Sequence, residues 1–251
     1  MKINKPELWD EQVWNLSPNE EDRYVERKLK SMIWKRIKKR VIKEFGSFKN
    51  LKTIEIGAGM GTISLLFAME GANVTVLDYS KKAIEASKLF FKRWKQKAKF
   101  VQMDALNLDK KLIDKYDVSM SFGAAEHFKD EKRIKFIKAH LDVLKEGGVT
   151  FICVPNKWNL PYRLWMFLSQ TFGKWKFGEE YPFSRAEFRR IGKMFGVKFD
   201  IFGSYLFSSN FLIKQRLRKF VGLNPSSKLH HEFGTPLDKY FSQAIIGVTR
   251  K

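Results

Sequence analysis

Three alternating glycines and one aspartate are the residues of this sequence whose types and spacing could bind a ligand. Gly57, Gly59 and Gly61 follow a short apolar segment, and Asp78 ends the next apolar segment, seventeen residues after Gly61. Glycine lets a backbone turn sharply and approach a ligand where a Cβ atom would collide. An aspartate at the end of the following parallel strand can hold both hydroxyls of a ribose. The spacing therefore predicts a pocket for a molecule that contains a nucleoside.

The same spacing argues against two common nucleotides. Dinucleotide-binding enzymes space their glycines as G-x-G-x-x-G, whereas here a glycine occupies every second position from Gly57 to Gly61. No G-K-[ST] follows, which excludes a P-loop. With Glu55 two residues ahead, the segment resembles motif I of the class I S-adenosylmethionine-dependent methyltransferases, approximately (D/E)-x-G-x-G-x-G. The resemblance implies S-adenosyl-L-methionine as the cofactor.

Further landmarks of that family follow in the expected order. Asp78-Tyr79 resembles the ribose-binding acid and the residue that flanks the adenine. Asp104-Ala105 resembles the tip of the third strand, which faces the adenine amino group. The resemblance implies a cofactor site made of Glu55, Gly57, Ala58, Gly59, Gly61, Asp78, Tyr79, Asp104, Ala105 and Phe122.

The candidates for catalysis lie after the fourth and fifth predicted strands. Methyl transfer requires an acceptor held in line behind the methyl group and, for some acceptors, removal of a proton. Glu126 and His127 could do that work, although His127 could be structural and Glu126 could contact the cofactor. Phe122 could stack on an acceptor, and Asn156 could hydrogen-bond one or serve only as a turn residue. No Cys/His cluster has zinc spacing, so no metal is expected.

Sequence features also narrow the acceptor. The single cysteine, Cys153, lies within an apolar strand, which argues against methylation at cytosine C5. Enzymes that methylate exocyclic base amines often carry (N/D/S)-P-P-(Y/F) after the fourth strand, and residues 121–124 keep the serine but lack the prolines. The loop 123–128 resembles the Glu-His-Phe segment of quinone- and sterol-type methyltransferases.

The elements that must position these residues alternate between strand and helix. Strands are predicted near 52–56, 73–77, 99–102, 116–121, 148–154, 197–204 and 243–249, and helices near 23–45, 61–70, 80–95, 130–145 and 184–195. This alternation predicts an α/β class, Rossmann-like methyltransferase fold with a mostly parallel seven-stranded sheet and helices on both faces. The last two strands are expected to complete the sheet as an antiparallel pair. Ligands in such sheets bind at the carboxyl ends of the strands.

The expected organisation is an N-terminal cap with a basic helix over 1–50 and a methyltransferase domain over 51–251. The resemblance covers about residues 50–156 and resumes weakly over 184–204. Two segments rich in aromatic and basic residues, at about 155–183 and 206–242, are expected to be substrate-recognition insertions. No apolar run approaches the length of a membrane span, so a cytoplasmic protein is expected, and a monomer.

The net charge of +21 bears on the partner. Residues 27–43 contain nine basic residues and no acidic one, a field that favours a polyanion. The preferred hypothesis is therefore methylation of structured ribosomal or transfer RNA at a base nitrogen. The cytosine exocyclic amine of ribosomal RNA is the best guess, by similarity to archaeal-type rRNA cytidine N4 methyltransferases. A solvated, highly charged surface is the simpler explanation of the charge.

Two other functions stay open at this point. The first is a small-molecule or lipid methyltransferase with a quinone-like acceptor, for which the C-terminal aromatic and basic segments would form a lid. The second is a binding protein that has kept the fold but lost catalysis. The intact glycine run and Asp78 argue against this second possibility.

Overall fold

The computed structural model describes residues 17–175, 177–204 and 235–251. Most of the predicted insertion 206–242, with its aromatic and basic segments, lies outside the described residues. So do the first sixteen residues of the predicted N-terminal cap. Every structural statement below concerns the described part of the chain.

A seven-stranded sheet forms the centre of the described structure. Its strands are β1 (Lys52–Ile56), β2 (Asn73–Asp78), β3 (Lys99–Gln102), β4 (Tyr116–Phe122), β5 (Leu144–Pro155), β6 (Asp200–Gly203) and β7 (Ala244–Arg250). The order is β3-β2-β1-β4-β5-β7-β6, with β7 antiparallel to β5 and β6 and the other neighbours parallel. The predicted α/β fold with a mostly parallel seven-stranded sheet is confirmed. Strand order reverses between β1 and β4, which is where such sheets bind ligands.

Helices cover both faces of the sheet. They are α1 (Pro18–Leu29), α2 (Met32–Phe45), α3 (Thr62–Met69), α4 (Lys81–Arg93), α5 (Asp130–Asp142), α6 (Leu160–Thr171), α7 (Arg185–Met194) and the short α8 (Asp238–Phe241), with 3₁₀ turns at Lys110–Leu112 and Ala125–His127. Side chains of α1 to α4 share one buried cluster with one face of the sheet. Side chains of α5 and α7 share a second buried cluster with the other face.

The predicted long helix over 23–45 is two helices. Ser31 ends the first and begins the second, because its hydroxyl oxygen accepts a hydrogen bond from the Trp34 amide at 3.2 Å. Its hydroxyl also donates to the Lys28 carbonyl at 2.7 Å. A serine that bonds to the backbone in this way competes with continued helix and favours an N-cap. In the second of these helices Ile37 and Val41 are fully buried.

Several basic side chains of α2 are held within the molecule. The Arg36 guanidinium donates to the Gly203 and Ser204 carbonyls and pairs with Asp238 at 2.6 Å. Arg40 pairs with Asp200 at 3.0 Å. These contacts anchor α2 to the β6 edge of the sheet, so part of the charge in this helix has a structural use. Among the described helices, none combines the length and apolar character needed to cross a bilayer.

Candidate functional site

The glycine run forms a tight turn between β1 and α3. Gly57, Gly59 and Gly61 have φ angles of 67°, 54° and 69°, a region that side chains with a Cβ atom rarely adopt. A Cβ atom on Gly57 would lie 2.7 Å from the Cβ of Ala124. The turn is therefore packed directly against the loop that follows β4. The turn forms a backbone cradle, in which these φ angles and the short contact at Gly57 favour glycine over any residue with a Cβ atom.

Two buried carboxylates hold the glycine turn in place. Glu55 accepts a hydrogen bond from the Ser64 amide at 2.8 Å, which satisfies the first turn of α3 where the N-cap Gly61 has no side chain. Burial raises the pKa of Glu55 to about 7, although the Ser64 hydrogen bond opposes this rise. Asp78 accepts from the Gly59 amide at 2.8 Å and from the Ser80 amide at 2.9 Å. The end of β2 is thereby fixed to the glycine turn.

The remaining predicted cofactor residues surround the ends of β2 and β3. Tyr79 is partly exposed, and Ala105 is buried. Asp104 is exposed, and its carboxylate accepts from the Leu106 amide and the Asn107 side chain, both at 2.8 Å. We call Glu55 and Gly57–Gly61, with Asp78 and Asp104, the cofactor half of the site. The cofactor contacts assigned to its residues stay predictions.

A second group of side chains lies at the end of β4. Glu126, in the 3₁₀ turn, is 3% exposed, and its Oε2 atom has no hydrogen-bond partner within the described residues. Burial, followed by the negative charge of Glu180, raises the pKa of Glu126 to about 8. A ligand atom from each of Glu126, His127 and Glu180 lies within 4.8 Å of the others. We call these three residues, with Tyr162, the acceptor half of the site.

Backbone contacts bring Glu180 to this position. The Tyr181 amide donates to the Glu126 carbonyl at 2.8 Å, and Nδ1 of His127 lies 2.9 Å from the Glu179 carbonyl. The Tyr162 hydroxyl of α6 donates to the Glu180 carboxylate. The segment that follows α6 and carries Glu180 therefore lies along the 3₁₀ turn Ala125–His127.

The pKa values of these side chains follow from burial. Burial raises the pKa of Glu180 to about 7, against the hydrogen bond from Tyr162. Burial lowers the pKa of His127 to about 4, partly offset by the Glu179 and Gly123 carbonyls beside its ring. Burial is also the main cause that raises the pKa of the Tyr162 hydroxyl. His127 is therefore a neutral imidazole near pH 7, and the two carboxyls titrate near that pH.

Arg133 of α5 holds the segment that carries Glu180 in place. Its guanidinium donates to the Phe128 carbonyl at 2.9 Å and the Tyr181 carbonyl at 2.6 Å, and it pairs with Glu187. It also lies 4.0 Å from the centre of the Phe183 ring. One buried cation therefore joins α5, α7 and the segment that carries Glu180.

Aromatic side chains adjoin the acceptor half. The Trp165 and Trp175 ring centroids are 5.0 Å apart, and those of Trp175 and Phe177 are 5.3 Å apart. Tyr162 joins the same group, at 5.8 Å from Trp165. The outer side of α6 and its flanks expose large apolar side chains: Trp158, Leu160, Leu164, Phe167, Leu168 and Phe172. The predicted insertion 155–183 is thus a mainly apolar structure over the acceptor half.

Two predicted catalytic residues have different surroundings. Phe122 is partly buried and packs against the core at the end of β4. Asn156 is fully buried, and its side-chain amide donates to the Tyr240 carbonyl at 2.8 Å and the Ser242 carbonyl at 3.0 Å. Its Oδ1 accepts from the Trp158 amide at 3.1 Å. Contact with an acceptor would require these bonds to break, so Asn156 ties the end of β5 to the C-terminal segment.

Glu180 was absent from the predicted site. One signal in the sequence could have indicated it, because Glu179 and Glu180 are the only acidic residues between 157 and 183. Tyr162 was noted only as part of an aromatic segment. Neither residue lies near Glu126 in sequence, so only the fold brings them together.

Comparisons with known proteins agree with this geometry. Residues 54–148 match the family model described as "Methyltransferase domain". This stretch is therefore similar to a methyltransferase domain. The match supports S-adenosylmethionine, the cofactor that the resemblance implied, and an enzymatic function.

Solved structures of such enzymes share the fold. Magnesium protoporphyrin IX methyltransferase (ChlM) from Synechocystis PCC 6803, solved with bound SAH, matches with a TM-score of 0.61 and 15% identity, over 98% of this chain and 93% of that one. An S-adenosylmethionine-dependent methyltransferase from Archaeoglobus fulgidus matches with a TM-score of 0.57 and 18% identity, over 86% and 94%.

Among curated proteins, the chain is similar to the ubiquinone biosynthesis O-methyltransferase of Pelagibacter ubique (strain HTCC1062). The two are 36% identical over 128 residues, which is 48% of this chain and 51% of that protein. The chain spans about half the length of the curated relatives it matches.

Proposed function

We propose that the protein transfers a methyl group from S-adenosylmethionine to an oxygen of a small hydrophobic acceptor of the phenol or quinol class. The observation that carries this proposal is the acceptor half of the site. The buried Glu126 carboxyl and the partly buried His127 and Glu180 lie together at the end of β4, and Tyr162 of the aromatic helix α6 contacts Glu180. A few convergent polar groups beside apolar side chains are typical of a site for a small ligand.

The residues of the cofactor half fit S-adenosylmethionine. The three glycines at positive φ leave a cradle that a Cβ atom would disturb, and Asp78 lies at its edge. When bound there, the cofactor supplies an electrophilic methyl group. The protein's own task is then to place the acceptor oxygen and to receive its proton. Glu126 and Glu180, whose pKa values burial raises to about 8 and 7, are suited to accept a hydrogen bond or a proton from a phenol.

The matched curated relatives support this acceptor class. They are named as ubiquinone biosynthesis O-methyltransferases, which favours the small-molecule alternative over the RNA hypothesis. The resemblance of the Glu126-His127-Phe128 segment to quinone-type enzymes points the same way. The exposed apolar side chains of α6 suit a hydrophobic acceptor better than a polyanion.

RNA methylation is the second candidate, and the net charge of +21 is the observation that favours it. An open groove of about 550 Å³ on α2 adds Lys35, Lys38 and Lys39 to that argument. Against it, Lys38 pairs with Glu70, and Arg36 and Arg40 hold the edge of the sheet. A base nitrogen as acceptor would also leave the apolar side chains of α6 unused.

The test incubates the purified protein with methyl-labelled S-adenosylmethionine and two acceptors in parallel. One is a set of prenylated catechols and phenols in detergent micelles, and the other is total RNA. We expect label in the organic extract, and a large loss of that label in Glu180→Gln. The matched control is Glu146→Gln, which removes an exposed carboxylate at the amino end of β5. Label in RNA alone would overturn the proposal.

A further inference from the structure

The N-terminal helices lie before the stretch that matches the methyltransferase family, yet the direction of α2 brings them to the site. Arg36, in the first half of α2, donates to the carbonyl of Gly203 at the end of β6. Arg40, one turn later, pairs with Asp200 at the start of β6. Strand β6 runs in the same direction as β5, because both are antiparallel to β7. Helix α2 therefore begins at the carboxyl ends of the strands, where the glycine turn lies.

Lys28 lies in the last turn of α1, which ends only two residues before α2 begins. Burial raises the pKa of Glu55 to about 7, and the Ser64 hydrogen bonds and the charge of Lys28 oppose this rise. Burial also raises the pKa of Cys153 to about 12, with Glu126 adding to the rise and Lys28 opposing it. Because such charge effects fall off with distance, the Lys28 ammonium must lie near the ends of β1 and β5, which flank β4.

The Lys28 ammonium has no carboxylate partner within the described residues. It lies 5.3 Å from the centre of the Tyr24 ring, and the residue is partly buried. The neighbouring Lys30 differs, because it pairs with Glu26 at 3.8 Å and its side chain is 80% exposed. A partly desolvated ammonium gains strongly from an anion, since hydrogen bonds between charged groups are stronger than neutral ones. Lys28 therefore holds a positive charge with which an anionic ligand at this end of the sheet would pair.

S-adenosylmethionine, the cofactor that the comparisons support, carries such an anion on its amino-acid end. The resemblance assigns its ribose to Asp78 and its adenine to Asp104, beside the ends of β2 and β3. Its methyl group must face the acceptor half, which leaves the ends of β1 and β4 for the amino acid. We propose that Lys28 binds the carboxylate of S-adenosylmethionine, which makes α1 part of the cofactor site. This inference needs only the cofactor, and it applies whether the acceptor is a phenol or RNA.

The test compares S-adenosylmethionine with its decarboxylated analogue, which keeps the sulfonium and the adenosine but lacks the carboxylate. Calorimetry on the full chain gives both affinities. We expect Lys28→Met to weaken binding of S-adenosylmethionine by about 10- to 100-fold, the size of one lost hydrogen bond between charged groups. The analogue should bind this variant as tightly as it binds the unaltered protein. Lys30→Met is the matched control and should leave both affinities unchanged.

Two further measurements separate a direct contact from a structural role of Lys28. The free energy of unfolding of Lys28→Met without ligand should match that of the unaltered protein, and Lys28→Arg, which restores the charge, should recover most of the affinity for S-adenosylmethionine. An equal loss for both ligands in Lys28→Met, or no loss for either, would overturn the carboxylate contact. So would an unaltered protein that binds the two ligands equally well. If Lys28→Met fails to fold, Lys28→Gln decides by the same comparison.

Discussion

The two halves of the site occupy neighbouring strand ends but satisfy their polar groups differently. In the cofactor half, Asp78 and Glu55 accept hydrogen bonds from backbone amides of the glycine turn and of the residues that follow β1 and β2. In the acceptor half, Glu126 keeps a buried oxygen without a partner within the described residues. The first half is complete without a ligand. The second has polar groups that a ligand would satisfy.

This difference shows that the fold builds the cofactor half and the acceptor half from different parts of the chain. The cofactor half is built mainly from local sequence, since the hydrogen bonds described for Glu55, Asp78 and Asp104 all arise within residues 55–107. The acceptor half combines the end of β4 with a segment more than 50 residues later, so it can change without altering the cofactor half. Such unpaired buried groups are expensive and tend to mark binding sites.

The largest expected effect comes from Gly57→Ala, which tests the cofactor half. The added Cβ would clash with Ala124 and would force a strained left-handed backbone. We expect the affinity for S-adenosylmethionine, measured by calorimetry, to fall by about 10- to 100-fold, since backbone strain of about 1–3 kcal/mol corresponds to a loss of about that size. Gly46→Ala is the matched control, because Gly46 also has a positive φ but nothing within 4 Å. If both variants bind the cofactor equally well, the cradle has no role.

The next effect tests whether the acceptor half depends on long-range contacts. Arg133→Met would leave Glu187 and two carbonyls without their cation. The free energy of unfolding should fall by about 3 kcal/mol, because breaking a buried pair leaves an uncompensated charge. Lys138→Met removes an exposed pair with Asp142 and should cost less than about 0.5 kcal/mol. Denaturant unfolding gives both free energies of unfolding. Equal losses in the two variants would show that Arg133 does not hold the segment that carries Glu180.

A smaller expected effect concerns His140, a buried polar side chain that lies in the core and not at the site. His140 is fully buried, neither ring nitrogen has a partner within the described residues, and burial lowers its pKa to about 3. In the unfolded chain the pKa of a histidine is about 6.5. Between the two pKa values the unfolded chain therefore binds more protons than the folded protein does. The free energy of unfolding must then fall as the pH falls through that range.

His140→Leu should therefore flatten this dependence. We expect the loss of unfolding free energy between pH 7 and pH 5 to shrink by about 2 kcal/mol in the variant. Unfolding curves at the two pH values give the comparison, and the carboxyl groups titrate alike in both proteins. Parallel pH profiles would show that His140 does not titrate on unfolding.

The smallest effect concerns the basic surface outside both halves. Lys35 and Lys39 are exposed on α2, so the double change Lys35→Gln and Lys39→Gln should leave transfer to a phenol unchanged. RNA retention on filters across a salt series is the companion measurement. If α2 contacts RNA phosphates, the variant should lower the salt slope by about 1.4, at about 0.7 for each lost contact. Such a drop, with RNA labelled by the enzyme, would favour the second candidate.

The sequence predicted the cofactor half far better than the acceptor half. The glycines and Asp78 are separated by one helix of regular length, so strand and helix patterns suffice to place them together. Glu180 joins Glu126 only because the chain returns after α6 and Arg133 holds it there, which no local pattern reveals. Similarly, Asn156 seemed available in sequence, but its side-chain amide donates to two carbonyls more than 80 residues away. The break at Ser31 was missed because it depends on one hydroxyl, which bonds to the backbone within the segment predicted as a single helix.

The independence of the two halves can be measured by comparing Asp78→Asn with Glu180→Gln. For each variant, calorimetry gives the affinity for S-adenosylmethionine and a label assay gives transfer to a catechol. We predict that Asp78→Asn loses cofactor binding, whereas Glu180→Gln binds the cofactor normally and loses transfer. Full transfer by Glu180→Gln, or a loss of cofactor affinity equal to that of Asp78→Asn, would contradict the assignment of the two halves.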